Sequence, residues 1–279
     1  MPKLLVRDLA QVVSPAGRDA PLRGSALADI DWIDDGYVLC NGPVIEAVGR
    51  MRDLGAPDGD VLELSGRGLC AIPGLVDCHT HPAFGGDRVQ EFSLRASGAT
   101  YEELHAAGGG ILHTVQATRG AGEAGLRKAV ERHRGWMLRA GTTTFEGKSG
   151  YGLDRDTELA SLAAIRDAGG IPTFLGAHSV PPEHGDADAY LDFLLADAAD
   201  VFLERGAFDT AQARRYLEAA RGHGLALRLH GDQFTEAGAI PRAIELGARS
   251  VDHLEATRPA GVAALAAARE HGLDLPSVS

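Results

Sequence analysis

Short apolar runs separated by Asp, Gly and Pro fill the chain as far as Ser65. The runs KLLV, YVLC and VIEAV have the length and alternation of half-buried β-strands. Asn41 and Gly42 join the last two runs, and this dipeptide favours the positive φ values of a two-residue hairpin turn. We therefore predict a small β region over residues 1–67 that contains a hairpin at Asn41-Gly42.

The pattern changes after Gly68 to apolar runs that alternate with amphipathic segments, which is typical of parallel βαβ units. The helical segments show apolar residues at helical spacing: Leu126, Val130 and Met137 in one, Leu159, Leu162 and Ile165 in the next. Six strand–helix units precede a seventh strand near Leu273, whereas a closed (β/α)8 barrel needs eight units. Residues 68–279 thus predict either an open α/β fold or a barrel without its last strands.

Composition and charge narrow the classes of function. The chain has 279 residues, is 44% hydrophobic, and carries a formal net charge of −12, which makes nucleic acid and anionic membranes poor partners. No apolar stretch approaches the roughly 20 residues of a membrane span, and the N-terminus has no signal-peptide pattern. The three cysteines, Cys40, Cys70 and Cys78, do not suggest a disulfide framework. A cytoplasmic globular protein that acts on a small molecule is the expectation.

Five histidines follow or end predicted strands. His79 and His81 are two residues apart, so period-2 geometry points both imidazoles to the same side, although such a pair is also compatible with two hydrogen-bonded core residues. His178, His230 and His253 stand at the carboxyl ends of later strands, where barrel active sites form. The remaining histidines are expected to face solvent or cap helices: His105, His113, His133, His184, His223 and His271.

The motifs PGLVDCHTHPAFGGDR, FEGKSGYGL, GAHSVPPE, LHGDQF and DHLE resemble those of the amidohydrolase superfamily, specifically the imidazolonepropionase family. The resemblance runs along essentially the whole chain. It implies a (β/α)8 TIM barrel, here without its last strands, and a small β-sandwich-like N-terminal region. The implied reaction is the hydrolysis of 4-imidazolone-5-propanoate to N-formimidoyl-L-glutamate in histidine degradation. Open alternatives are another cyclic amidohydrolase or aminohydrolase, or a catalytically inert fragment.

The resemblance also implies a site. One divalent ion, zinc or iron, is held by three histidines and an aspartate on strand 8; the matching histidines are His79, His81 and His230. Substrate binding falls to Arg88, Tyr151 and His178, with the arginine gripping the propionate carboxylate. Lys148 is compatible in type with a Schiff-base or a carboxylated lysine, but its position favours neither. The family further implies a homodimer.

Two departures from the family pattern affect catalysis. Gln233 stands where a proton-shuttling glutamate is common, and an amide does not accept a proton near pH 7. The strand-8 aspartate has no counterpart, and Asp274 lies on the seventh strand by chain order. Gln233 then retains a hydrogen-bonding role towards the ring, and His253 or the missing aspartate is the candidate partner of the metal-bound water in the proton step. We expect the 279-residue chain by itself to have little hydrolase activity and a tendency to aggregate.

Overall fold

The computed structural model describes residues 2–14, 24–98, 110–194, 200–204, 207–270 and 277–278. The chain divides into two compact units, Met1–Gly74 and Leu75–Ser279. Asp274 and the run GLDL lie outside the described residues, as do His105 and His271.

The first unit is one five-stranded sheet. Its strands are β1 Lys3–Ser14, β2 Asp31–Asn41, β3 Val44–Arg50, β4 Val61–Ser65 and β5 Cys70–Ala71. β2 pairs antiparallel with β1 and β3, whereas β4 and β5 run parallel to β1. Leu5, Tyr37 and Leu39 form its buried core. The described residues of this unit do not by themselves build the second layer that a β-sandwich needs.

The expected hairpin is present between β2 and β3, but its connection is shifted by one residue. β2 continues through Asn41, and Gly42 and Pro43 form the turn. Gly42 has φ +57°, which glycine adopts at little cost, and Pro43 lacks the N–H that a ladder position would use. The predicted hairpin is therefore present, but the prediction that Asn41 and Gly42 form its turn is wrong, because Gly42 and Pro43 occupy the two turn positions.

The second unit contains seven parallel strands in two sheets. They are β6 Leu75–Thr80, β7 Thr142–Lys148, β8 Ile171–Thr173, β9 Asp200–Leu203, β10 Arg228–Gly231, β11 Ser250–His253 and β12 Ser277–Val278. The sheet orders are β6-β7-β8 and β12-β11-β10-β9, and a single bridge between Ala177 and Val201 links them. The alternation of strands and helices is as predicted, but the described strands do not close into a barrel.

Seven helices cover the described part of the second unit. They are α1 Val89–Ala96, α2 Ile111–Arg139, α3 Arg155–Asp167, α4 Ala187–Leu194, α5 Thr210–Gly222, α6 Ala239–Leu246 and α7 Pro259–Glu270. Local chemistry fixes several helix ends: Asp154 caps α3 through the Thr157 N–H, and Asp209 and Gln212 form a capping box on α5. α2 has a kink at Gly122, whose φ is +61°.

Helix burial follows the predicted spacing in one case and departs from it in the other. Leu126 and Val130 on α2 are fully buried. On α3, Ile165 is buried, but Leu159 is 51% exposed, so helical spacing alone does not locate the buried face of this helix. The buried face of α3 instead carries Glu158 and Ser161, because a polar loop packs against this helix. No helix within the described ranges combines the length and the apolar character of a membrane span.

Candidate metal centre

The carboxyl ends of four strands bring five imidazoles together. His79 lies on β6 and His81 directly follows that strand; His178 follows β8, His230 lies on β10 and His253 ends β11. Ring centroids lie 4.7 Å apart for His79 and His230, 5.1 Å for His79 and His253, and 5.2 Å for His81 and His178. Parallel strands place these residues at one edge because their carboxyl ends point the same way. We call these five residues the histidine cluster.

The cluster offers donor atoms at metal-binding spacing. Ligand atoms of His79, His230 and His253 lie within 4.8 Å of one another, so His253 joins two of the expected ligands in this set. His81 packs beside His79, with ring centroids 5.5 Å apart, and its buried Nδ1 makes no hydrogen bond. The buried His230 makes no hydrogen bond at Nε2, and its Nδ1 faces Asp200 Oδ1 at 3.4 Å. Buried imidazole nitrogens without a partner fit a site that a divalent ion would complete.

Burial keeps three imidazoles of this cluster, those of His81, His178 and His253, in the neutral form that binds metals. Burial, reinforced by the charge of His178, lowers the pKa of His81 well below its usual value. Burial and His230 lower the pKa of His178 to about 4, against the hydrogen bond between its Nδ1 and the Gly150 carbonyl. Burial also lowers the pKa of His253. Neutral imidazoles present a lone pair near pH 7, as metal ligation requires.

A buried ammonium lies close to the histidines, because Lys148 and His79 both contact the Asp252 carboxylate. Lys148, at the end of β7, is fully buried, with Nζ 2.9 Å from Asp252, 3.0 Å from Glu146 and 3.4 Å from Asp200. Burial alone would lower the pKa of Lys148, but the three carboxylates outweigh it and raise the pKa. A raised pKa keeps Lys148 protonated near pH 7.

A loop after β7 presents Tyr151 to the cluster. The ring of Tyr151 lies 5.5 Å from His81 and 5.1 Å from His178. Burial raises the pKa of Tyr151 and the charge of Arg88 opposes this shift. The loop backbone is held by the buried Glu158, which accepts N–H bonds from Gly150 at 2.8 Å, Gly152 at 2.7 Å and Leu153 at 2.9 Å.

Gly150 allows the close approach of this loop to its neighbours. Its φ is +106°, and a Cβ there would lie 2.7 Å from the Leu175 carbonyl oxygen. Its own carbonyl accepts from Nδ1 of His178 at 2.9 Å. One glycine therefore connects the loop of Tyr151 to the orientation of His178.

The other predicted site residues, Arg88 and Gln233, stand on the segments that follow β6 and β10. Arg88 precedes α1, has a side chain that is 46% exposed, and forms an ion pair with Glu91. Gln233 is half-buried in the segment after β10. The structure thus brings Tyr151 into ring contact with His81 and His178, whereas the charge of Arg88 acts on Tyr151.

One buried histidine close to His81 was not predicted from the sequence. His133 on α2 was expected to face solvent or cap a helix, but it is buried, and its Nδ1 lies 2.7 Å from the carbonyl oxygen of Pro82, next to His81. Its ring stacks on Phe84. His133 lies on the same helical face as Leu126 and Val130, so the spacing that predicted the core could also have identified it.

Comparison with solved structures gives the class of fold. A triazine hydrolase from Arthobacter aurescens aligns with 91% of this chain and 60% of its own, at 15% identity and a TM-score of 0.58. A Xaa-Pro dipeptidase aligns with 97% of this chain and 65% of its own, at 12% identity and a TM-score of 0.58. No protein-family model matches the chain. The chain has an amidohydrolase fold and spans less than two thirds of these structures.

Comparison of sequences gives the family. The imidazolonepropionase of Rubrobacter xylanophilus is 54% identical over 98% of this chain and 70% of its own length. That of Chloroflexus aggregans is 45% identical over 99% of this chain and 71% of its own. The chain belongs to the imidazolonepropionase family.

Proposed function

We propose that the chain carries the active site for metal-dependent hydrolysis of 4-imidazolone-5-propanoate to N-formimidoyl-L-glutamate, with residues 68–279 as its catalytic domain. The observation that carries the proposal is 54% identity to a named imidazolonepropionase in a chain whose strand ends converge on five histidines. The substrate is a small anionic heterocycle, which suits a site of imidazoles, one phenol and a nearby guanidinium.

His79, His81 and His230 are the proposed ligands of one zinc or iron ion. The fit rests on His81, whose pKa burial lowers so that it is neutral near pH 7, and on the buried His81 Nδ1 and His230 Nε2, which make no hydrogen bond in the described structure. When bound, such an ion supplies Lewis-acid polarisation of the ring carbonyl and activation of water. Donor atoms of His253 lie within 4.8 Å of those of His79 and His230. His253 is the proposed proton carrier, because burial lowers its pKa and leaves it neutral near pH 7.

Arg88, Tyr151 and His178 are the proposed substrate contacts. A guanidinium forms two parallel hydrogen bonds with a carboxylate, so Arg88 suits the propionate tail. Neutral Tyr151 and His178 supply directional hydrogen bonds to the ring from one side of the cluster. The amide of Gln233 donates or accepts a hydrogen bond but carries no proton in the reaction.

Turnover by two chains tests this function. The first is the 279-residue chain and the second is the same chain joined to the C-terminal part of the Rubrobacter relative that it does not cover. With zinc or iron supplied, we expect the lengthened chain to hydrolyse 4-imidazolone-5-propanoate at roughly 1–1000 per second, the range of ordinary enzymes, and the shorter chain to be much slower. Preference for hydantoin or guanine as substrate, or no turnover by the lengthened chain, would contradict the proposal.

A further inference from the structure

Five charged residues on four strands of the second unit, all but Arg228 buried, form a layer in contact with the histidine cluster. We call them the buried charge network: Glu146 and Lys148 on β7, Asp200 on β9, Arg228 on β10 and Asp252 on β11. Lys148 and Asp200 have no exposed side-chain surface, and Asp252 has 1%. Two cations and three carboxylates give this layer a formal charge of −1. Water does not screen buried charges, and an unpaired charge there is costly, so each of these groups is constrained to stay close to its partner.

Lys148 is the member that joins the network. Its Nζ lies within ion-pair distance of all three carboxylates, which come from three different strands. Glu146 has further partners, because Thr173 donates to it at 2.6 Å and Arg228 lies 3.0 Å away. An ammonium with three donors can hold three acceptors at fixed angles.

Two of these carboxylates also face the imidazoles of expected metal ligands. Asp252 Oδ2 lies 3.1 Å from Nδ1 of His79, and Asp200 Oδ1 lies 3.4 Å from Nδ1 of His230. A carboxylate facing one ring nitrogen favours the proton there and leaves the lone pair on the other nitrogen. The layer therefore sets which nitrogen each imidazole can offer to an ion.

We propose that Lys148 is a positioning residue of the metal centre: by bridging Asp200 and Asp252 it holds their oxygens against Nδ1 of His79 and His230, so that both imidazoles offer Nε2 to the ion. Lys148 itself contacts neither the ion nor the substrate. The inference rests on the proposed function, since it concerns the ion that this function requires.

A positioning role and a simple charge effect predict opposite results. Replacing Lys148 removes a positive charge close to the ion, so electrostatics alone would make the cation bind more tightly. Loss of positioning instead weakens binding of the cation. Without Lys148, Asp200 and Asp252 no longer hold the imidazoles of His79 and His230 in the orientation that binds the ion. Outer partners of metal ligands typically contribute a factor of about 10–100 in affinity.

Titration of the metal-stripped protein with Zn²⁺ against a competing chelator tests whether replacing Lys148 weakens or strengthens metal binding. We expect Lys148→Met to bind Zn²⁺ about 10–100-fold more weakly than the unaltered chain. The matched control, Lys128→Met on the exposed face of α2, should bind it unchanged. Equal or tighter binding by Lys148→Met would overturn the proposal.

Nitrogen NMR of the histidine side chains supplies a second readout that needs no metal. In the unaltered, metal-stripped chain, His79 and His230 should carry their proton on Nδ1, and Lys148→Met should mix the two tautomers. If that variant does not fold, Lys148→Met with Glu146→Gln keeps the formal charge at −1 and takes its place. Protons on Nε2 in the unaltered chain would refute the inference whatever the variants do. A chain that binds no metal but shows Nδ1 protons would refute the proposed function alone.

Discussion

Arg88 stands at the start of α1 with its guanidinium 2.6 Å from Glu91 and a side chain that is 46% exposed. An exposed pair of this kind contributes little to folding, whereas a bidentate contact with a substrate carboxylate contributes strongly to catalysis. In the lengthened chain, Arg88→Ala should lower kcat/KM on the order of 10–1000-fold with little change in thermal stability. Arg95→Ala, on the same helix, is the control. Activity lost only in proportion to folded protein would contradict the binding role.

His178 makes stability depend on pH in a direction fixed by its burial. Its pKa is about 4 in the folded chain against an ordinary value of 6.5, so between these values the unfolded chain binds a proton that the folded chain does not. The contribution is full above pH 6.5 and is lost as the pH falls towards 4. Denaturant unfolding of metal-stripped protein should show His178→Gln losing less stability over this window than the unaltered chain. A slope unchanged from that of the exposed control His223→Gln would count against this assignment.

At the scale of elements, Glu158 ties helix α3 to the loop that carries Tyr151. Its carboxylate accepts three backbone N–H bonds, and removing it leaves these buried donors without a partner. Glu158→Ala should therefore lower the free energy of unfolding by about 2–4 kcal/mol. Chemical denaturation measures this, with Glu131→Ala on the exposed side of α2 as control. A loss as small as that of the control would show that the loop does not depend on Glu158.

Periodicity and strand-end position predicted the alternating strands and helices, because each reflects a local repeat of burial. The histidine pair and the later strand-end histidines could be identified for the same reason. The buried charge network could not, since Lys148, Asp200 and Asp252 come from three strands and their pairing depends on how those strands align. Glu158 could not be identified because its partners are backbone N–H groups. The exposure of Leu159 could not be predicted either, because helical spacing does not reveal which face of a helix meets a polar loop.

At the scale of the whole molecule, strand β6 at the edge of its sheet is the feature most relevant to association between chains. Among the described strands β6 pairs with β7 alone, and its Leu75 and Val76 are 50% and 69% exposed. An apolar strand with an open edge promotes association between chains. Sedimentation should show concentration-dependent self-association that Val76→Lys reduces, whereas Val262→Lys on α7 should leave it unchanged. A defined dimer insensitive to Val76→Lys would instead fit the homodimer that the family resemblance implies.

Metal content is the most direct test of the account, because every proposed role depends on an ion at the histidine cluster. The chain is equilibrated with Zn²⁺ or Fe²⁺, freed of excess metal, and analysed for metal per chain together with His230→Ala and the exposed control His223→Ala. The account predicts one ion per chain in the unaltered protein and in His223→Ala, and loss of that ion in His230→Ala. Two tightly held ions per chain, or full retention in His230→Ala, would contradict it.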